Sequence, residues 1–170
     1  MPTLIATVQG TTSNSYITVA DADTYFDERI GSSAWTGEDA DDKARALIQA
    51  TRRLDQEKYQ GTKVTEGQAL KWPRFWATDD DGEEFAEDAI PVIVRQATCE
   101  LALQYLTDDD SGTVPLLDTG LEQFDAAKVG SLDMSRDPSF KAGQLPANVR
   151  RLLRPVLETA SNTVRMGTSY

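Results

Sequence analysis

The sequence predicts a mainly α-helical protein: a small bundle of about four helices with a β-hairpin or long loop insertion and extended N- and C-terminal arms. Three observations lead there. Segments opening near Val19, Ala40 and Val92 repeat apolar residues at helical spacing behind recognisable start signals. Between Gly61 and Ala89 that periodicity disappears. Both ends of the chain lack a core-forming stripe, so the expected layout is an arm over 1–14, one helical domain over 15–157 and an arm over 158–170.

Thr18 stands at an N-cap position with Asp21 three residues on, the spacing of a capping box with Asp in place of Glu. Ala22, Tyr25, Phe26 and Ile30 then share one helical face, and Gly31 falls where a left-handed residue ends a helix, so a first helix is expected from about 19 to 30. Thr36 and Asp39 repeat the capping spacing before a stripe of Ala40, Ala44, Leu47, Ile48, Thr51 and Leu54. Asp39, Asp41 and Asp42 open this second helix and Arg52, Arg53 and Lys58 lie near its end, the order that the helix macrodipole favours.

The aperiodic stretch 61–89 holds Gly61, Gly67, Pro73, Gly82 and the acidic run Asp79 to Asp81. Connections of that length in compact domains are functional or carry short structure of their own, and Leu70, Trp72 and Trp76 are expected to staple this one to the helices. Pro91 suits the first turn of a third helix over 92–106, apolar on nearly every face and therefore central. Lys128 to Met134 suggest a strand or small hairpin. Pro146 opens a last helix carrying Val149, Leu152, Leu153 and Val156, which Pro155 should kink or shorten.

Composition excludes several functions. The 170 residues contain no histidine, which removes the commonest general base and metal ligand. The single cysteine, Cys99, lies in the apolar run VIVRQATCELAL and reads as a core residue. Neither phosphate-cradling glycine pattern is present. Asp79, Asp81, Gly82 and Asp88 fall at calcium-loop positions 3, 5, 6 and 12, but Ala77 stands at position 1, so an exposed acidic turn is the better reading. No enzymatic activity, cofactor, resident metal or membrane span is expected.

The net charge of −11 is unevenly spread. Residues 1–140 carry 12 basic and 27 acidic side chains, whereas 141–170 carry five basic residues against Glu158. Nucleic-acid binders draw affinity from lysine and arginine neutralising phosphates, so the acidic body argues against tight DNA binding. Trp72, Arg74, Phe75 and Trp76 interleave aromatics with a cation as single-strand binders do, yet they run into Asp79, Asp80, Asp81, Glu83 and Glu84. These five carboxylates are candidates for a channel-facing or loop surface. Arg150, Arg151, Arg154, Val164, Arg165, Met166 and Tyr170 are candidates for partner binding, giving a basic C-terminal face besides an acidic body face.

Four fragments, SYITVADADTYF from Ser15, ALIQATRRLD from Ala46, QALKWPR from Gln68 and IPVIVRQATCELAL from Ile90, together resemble the head-tail adaptor, or head-completion, proteins of tailed bacteriophages. Weaker echoes occur at KVGSL from Lys128 and LPANVRRLLRPVL from Leu145. Such sequences are also described as DnaT-like single-stranded-DNA-binding proteins. The resemblance implies a helical bundle with a hairpin insertion that joins neighbouring subunits in a ring, typically twelve-membered, between the portal protein and a tail or nozzle component. Genomic double-stranded DNA would pass without sequence-specific contacts. The implied location is the head-tail interface of the virion, and the host cytoplasm before assembly. The alternative is a DnaT-like single-strand binder.

Overall fold

A computed structural model describes residues 2–110, 128–129, 132–133 and 145–158. Its helices are α1 (Val19–Asp27), α2 (Ser33–Thr36), α3 (Ala40–Leu54), α4 (Val92–Asp110) and α5 (Ala147–Leu153). Four two-residue strands accompany them: β1 (Thr62–Lys63), β2 (Arg74–Phe75), β3 (Lys128–Val129) and β4 (Leu132–Asp133). The mainly helical architecture with small antiparallel pairs is the one the sequence predicts.

The capping signals act locally. Thr18 Oγ1 accepts the amide of Asp21 at 3.1 Å and donates to Asp21 Oδ2 at 2.7 Å, opening α1. Ala22 and Phe26 point into the core, but α1 stops at Asp27 and Ile30 is 98% exposed. The expected stripe overran the helix because Arg29 turns the chain. Its guanidinium donates to the carbonyls of Ile30 and Gly31 at 3.1 Å, and Gly31 takes a φ of +78°. Thr36 does not cap α3; it ends the unexpected single turn α2, which buries Trp35 against Phe26. Asp39 alone caps α3, its Oδ1 accepting the amides of Asp41 and Asp42 at 2.8 and 2.9 Å.

The core is built around α4, packed chiefly against α3 and α5. Val94, Ala97, Thr98, Cys99, Leu101 and Ala102 are all wholly buried, which accounts for a helix whose apolar surface is broken along this stretch only by half-buried Arg95, Gln96 and Glu100. Thr98 hides its hydroxyl by donating to the Val94 carbonyl at 2.8 Å. Burial pushes the Cys99 thiol up to about 12, so it stays protonated and inert at neutral pH. Pro146 stands at the N-cap of α5 and the helix ends two residues before Pro155.

A partly buried clasp ties α1 to α4. Glu100 receives Arg29 Nε and Nη2 at 2.5 and 2.9 Å and the Tyr25 hydroxyl at 2.7 Å. Burial pushes the Glu100 carboxyl up, but these donors outweigh it and hold the group below its usual value.

Residues 2–14 contain no helix or strand, yet they lie on the body. The Ile5 amide donates to Asn14 Oδ1 at 2.7 Å and the Asn14 amide returns to the Ile5 carbonyl at 2.9 Å. The Ala69 amide reaches the Gly10 carbonyl at 3.0 Å, and Leu4 packs against the core. The expected hairpin near Lys128 is present: β3 and β4 pair antiparallel, Lys128 opposite Asp133 and Val129 opposite Leu132.

Candidate functional site

The long connection after α3 folds into a corner rather than a loose loop. β1 and β2 pair antiparallel, with Thr62 opposite Phe75 and Lys63 opposite Arg74. The residues between them are knotted by Gln68, which is buried. Its Nε2 donates to the carbonyls of Leu70 at 2.8 Å and Pro73 at 3.1 Å, and its Oε1 accepts the Thr65 amide at 2.9 Å. Gln68 is a structural residue that sequence reasoning missed, because an isolated glutamine carries no pattern.

Gly61 makes the corner possible. It has a φ of +68°, and a Cβ there would sit 1.9 Å from the Phe75 carbonyl oxygen, so only glycine lets the two backbone segments approach. Arg74 locks them together. Nε donates to the Gln60 carbonyl at 2.5 Å, Nη2 to the Gly61 carbonyl at 2.5 Å, and Nη1 to the Lys71 carbonyl at 3.2 Å. Burial lowers the guanidinium's pKa from its usual value.

The last described residues complete one wall. The Gln60 amide donates to the Val156 carbonyl at 3.0 Å, the Glu158 amide to the Lys58 carbonyl at 2.9 Å, and Tyr59 and Leu157 form an antiparallel bridge. Between these segments lies an open cleft of about 610 Å³ lined by Lys58, Tyr59, Gln60, Gly61, Lys71, Arg74 and Glu158. Its three cations share the wall with one carboxylate, Glu158. Arg74 feels the charges of Glu158 and of Asp55, whose Oδ1 accepts the Lys71 backbone amide at 2.8 Å and the Tyr16 hydroxyl. The Lys71 ammonium is itself spent on the Glu57 carbonyl at 2.7 Å.

The aromatic motif divides at this corner. Trp72 is 1% exposed and packs edge-on against Tyr59 and Phe85, with ring centroids 5.5 and 5.9 Å away. Trp76, expected to staple the loop, is instead 68% exposed with a φ of +58°. Its displacement follows from the fixing of its neighbours: Phe75 is held by Gly61 and β1, and Ala77 is wholly buried. The backbone between them leaves the Trp76 side chain only the outside.

Beyond Trp76 the acidic stretch closes into a hairpin. The Phe85 amide donates to the Ala77 carbonyl at 3.0 Å and the Asp79 amide to the Glu83 carbonyl at 2.9 Å. Asp79 Oδ1 accepts the amides of Asp81 and Glu83, each at 2.9 Å. Asp79 is therefore a half-buried turn former, whereas Asp80, Asp81, Glu83 and Glu84 are exposed. Among the described residues no group of three or more potential ligands could hold a metal ion.

Arg150, Arg151 and Arg154 are exposed on α5 and the turn after it. Arg154 Nη2 donates to Asp80 Oδ2 at 3.1 Å, so the basic helix end and the acidic hairpin meet at this pair. Val164, Arg165, Met166 and Tyr170 lie outside the described residues. No described helix is long and apolar enough to cross a membrane.

Residues 4–168 match a protein family described as "Putative DnaT-like ssDNA binding protein". No curated protein and no solved structure matches the chain.

Proposed function

The chain belongs to that DnaT-like family; from its charge layout and its resemblance to phage head-tail adaptors, rather than from the family description, we propose a non-catalytic binding protein, a head-tail adaptor of a tailed phage. In this reading it docks as a ring beneath the portal, beside neighbouring copies and a tail component, and extends the channel for double-stranded DNA. The observation that carries the proposal is the spending of two members of the aromatic–cation cluster, Trp72 and Arg74, inside the fold. Trp72 is 1% exposed and Arg74 is bound to backbone carbonyls. What remains outside is dominated by carboxylates on a chain of net charge −11. Such a surface repels phosphates, which suits a wall that a duplex must slide past.

The second reading is a single-strand binder, and the family description speaks for it rather than for the adaptor. One structural feature also favours it: the open cleft carries Lys58, Lys71 and Arg74, and exposed Trp76 stands two residues beyond Arg74 as a candidate stacking surface. Against it stand the carboxylates of Asp55 and Glu158 beside Arg74 and the donors that Arg74 gives to backbone carbonyls.

Titrating a fluorescent oligothymidine at several salt concentrations separates the two. The adaptor reading expects little binding even at low salt. Micromolar or tighter binding that falls steeply with salt would establish the single-strand reading instead.

A further inference from the structure

We propose that Trp76 is the anchor of a docking surface for an arginine- or lysine-bearing protein segment, taking one cation on its indole face while the exposed carboxylates of the neighbouring hairpin pair the others. The inference deepens the adaptor reading by naming a contact, and it rests on that reading's need for a protein partner.

Of the three tryptophans in the chain, Trp35 and Trp72 are 1% exposed and Trp76 is 68% exposed. An indole left in water forgoes the burial that the other two obtain. It is also held in place. Gly61 packs on the backbone of Phe75 and Ala77, the Thr78 amide donates to Gln60 Oε1 at 3.3 Å, and the non-glycine φ of +58° is kept only because both flanks are fixed. An aromatic displayed from a fixed backbone has only its side-chain torsions to lose on docking, which suits an interface anchor.

Charge selects the occupant. The hairpin that starts from Ala77 exposes Asp80, Asp81, Glu83 and Glu84, and no lysine or arginine occurs between Trp76 and Arg95. The hairpin already accepts a guanidinium from within the chain, since Arg154 reaches Asp80 across an exposed ion pair. The face of an indole attracts a cation in the same way, and Lys43 Nζ already stands 5.3 Å from the centre of the Trp35 ring. A nucleic-acid strand stacked on Trp76 would bring its phosphates against these carboxylates. A basic protein segment meets attraction from both groups.

Because Trp76 is the one exposed tryptophan, quenching of the protein's fluorescence reads this surface directly. Cationic caesium is expected to quench more efficiently than anionic iodide; equal or greater quenching by iodide would overturn the acidic surroundings the proposal needs. A short fluorescein-labelled oligo-arginine peptide, followed by anisotropy, should bind in a salt-sensitive manner and protect the indole from acrylamide. Trp76→Ala should weaken that binding about fivefold, equivalent to the ~1 kcal/mol of an exposed cation–aromatic contact. Trp76→Phe should retain most of it. Asp81→Asn with Glu84→Gln should weaken it, and Asp27→Asn with Glu28→Gln at the C-terminal end of α1 should not. Absence of peptide binding, or equal binding by Trp76→Ala, overturns the inference and leaves the adaptor reading standing. Protection of Trp76 by oligothymidine rather than by the peptide sinks both.

Discussion

Trp72 and Trp76 lie four residues apart in one motif, and the fold treats them oppositely. Trp72 fills the space between Tyr59 and Phe85, while Trp76 stands in solvent on a left-handed backbone. Between them Arg74 spends its donors on carbonyls of the corner instead of on a ligand. One half of the motif is thus construction and the other half is surface. Aromatic and basic residues in proximity do not make a binding platform unless their faces and donors are left over after folding.

The widest separation should come from the two tryptophans themselves. Trp72→Ala is expected to cost about 3–5 kcal/mol in urea denaturation, the range for emptying a buried aromatic site. Trp76→Ala should stay within about 0.5 kcal/mol of the parent. Similar costs for both would erase the distinction between construction and surface. Trp72→Phe sharpens it further: Trp72 Nε1 is buried with no acceptor, so the ring matters more than its N–H, and this change should cost less than the alanine.

Next in size is Arg74→Met, which leaves the Gln60 and Gly61 carbonyls without their charged donor. A loss of about 2–3 kcal/mol is expected, measured by thermal or urea unfolding, since hydrogen bonds to charged groups are individually strong. If stability held and only oligonucleotide binding fell, Arg74 would belong with the surface.

The Glu100 clasp offers a contrast in pH. Its folded pKa lies below the unfolded value of about 4.3. The resulting stability is therefore fully present above that unfolded value and is lost as pH falls through the folded one. Glu100→Gln should flatten the acid side of the stability–pH curve from about pH 5 downward, whereas Trp76→Ala should leave that curve's shape unchanged.

The smallest effect belongs to Arg154→Ala. Both partners of its ion pair with Asp80 are largely exposed, so stability should change by less than about 0.5 kcal/mol. A large loss would mean that the hairpin depends on α5 for its position.

Legibility in the sequence followed the range of the interaction. Thr18, Asp39, Pro146 and the buried face of α4 were readable because caps and helical periodicity act over a few residues. Ile30 and Thr36 misled for the same reason, since their spacing continued patterns that Arg29 and Trp35 interrupt through contacts with distant partners. At the candidate site the acidic residues were visible as a run, but the hairpin they form rests on the Asp79 and Phe85 amides and on the Asp79 carboxylate, which accepts the Asp81 amide.

By itself the sequence determined a mainly helical body centred on one apolar helix, an acidic surface, and a chain without histidine chemistry, because composition and local spacing are properties of neighbours along the chain. Only the tertiary structure decided which tryptophan is buried, that Arg74 serves the backbone, and that Arg154 meets Asp80. Those outcomes depend on Gly61 allowing two distant segments to touch, and on space left after Tyr59 and Ala77 have packed. Competition for a shared interior is settled among residues far apart in sequence, so no local pattern records its result.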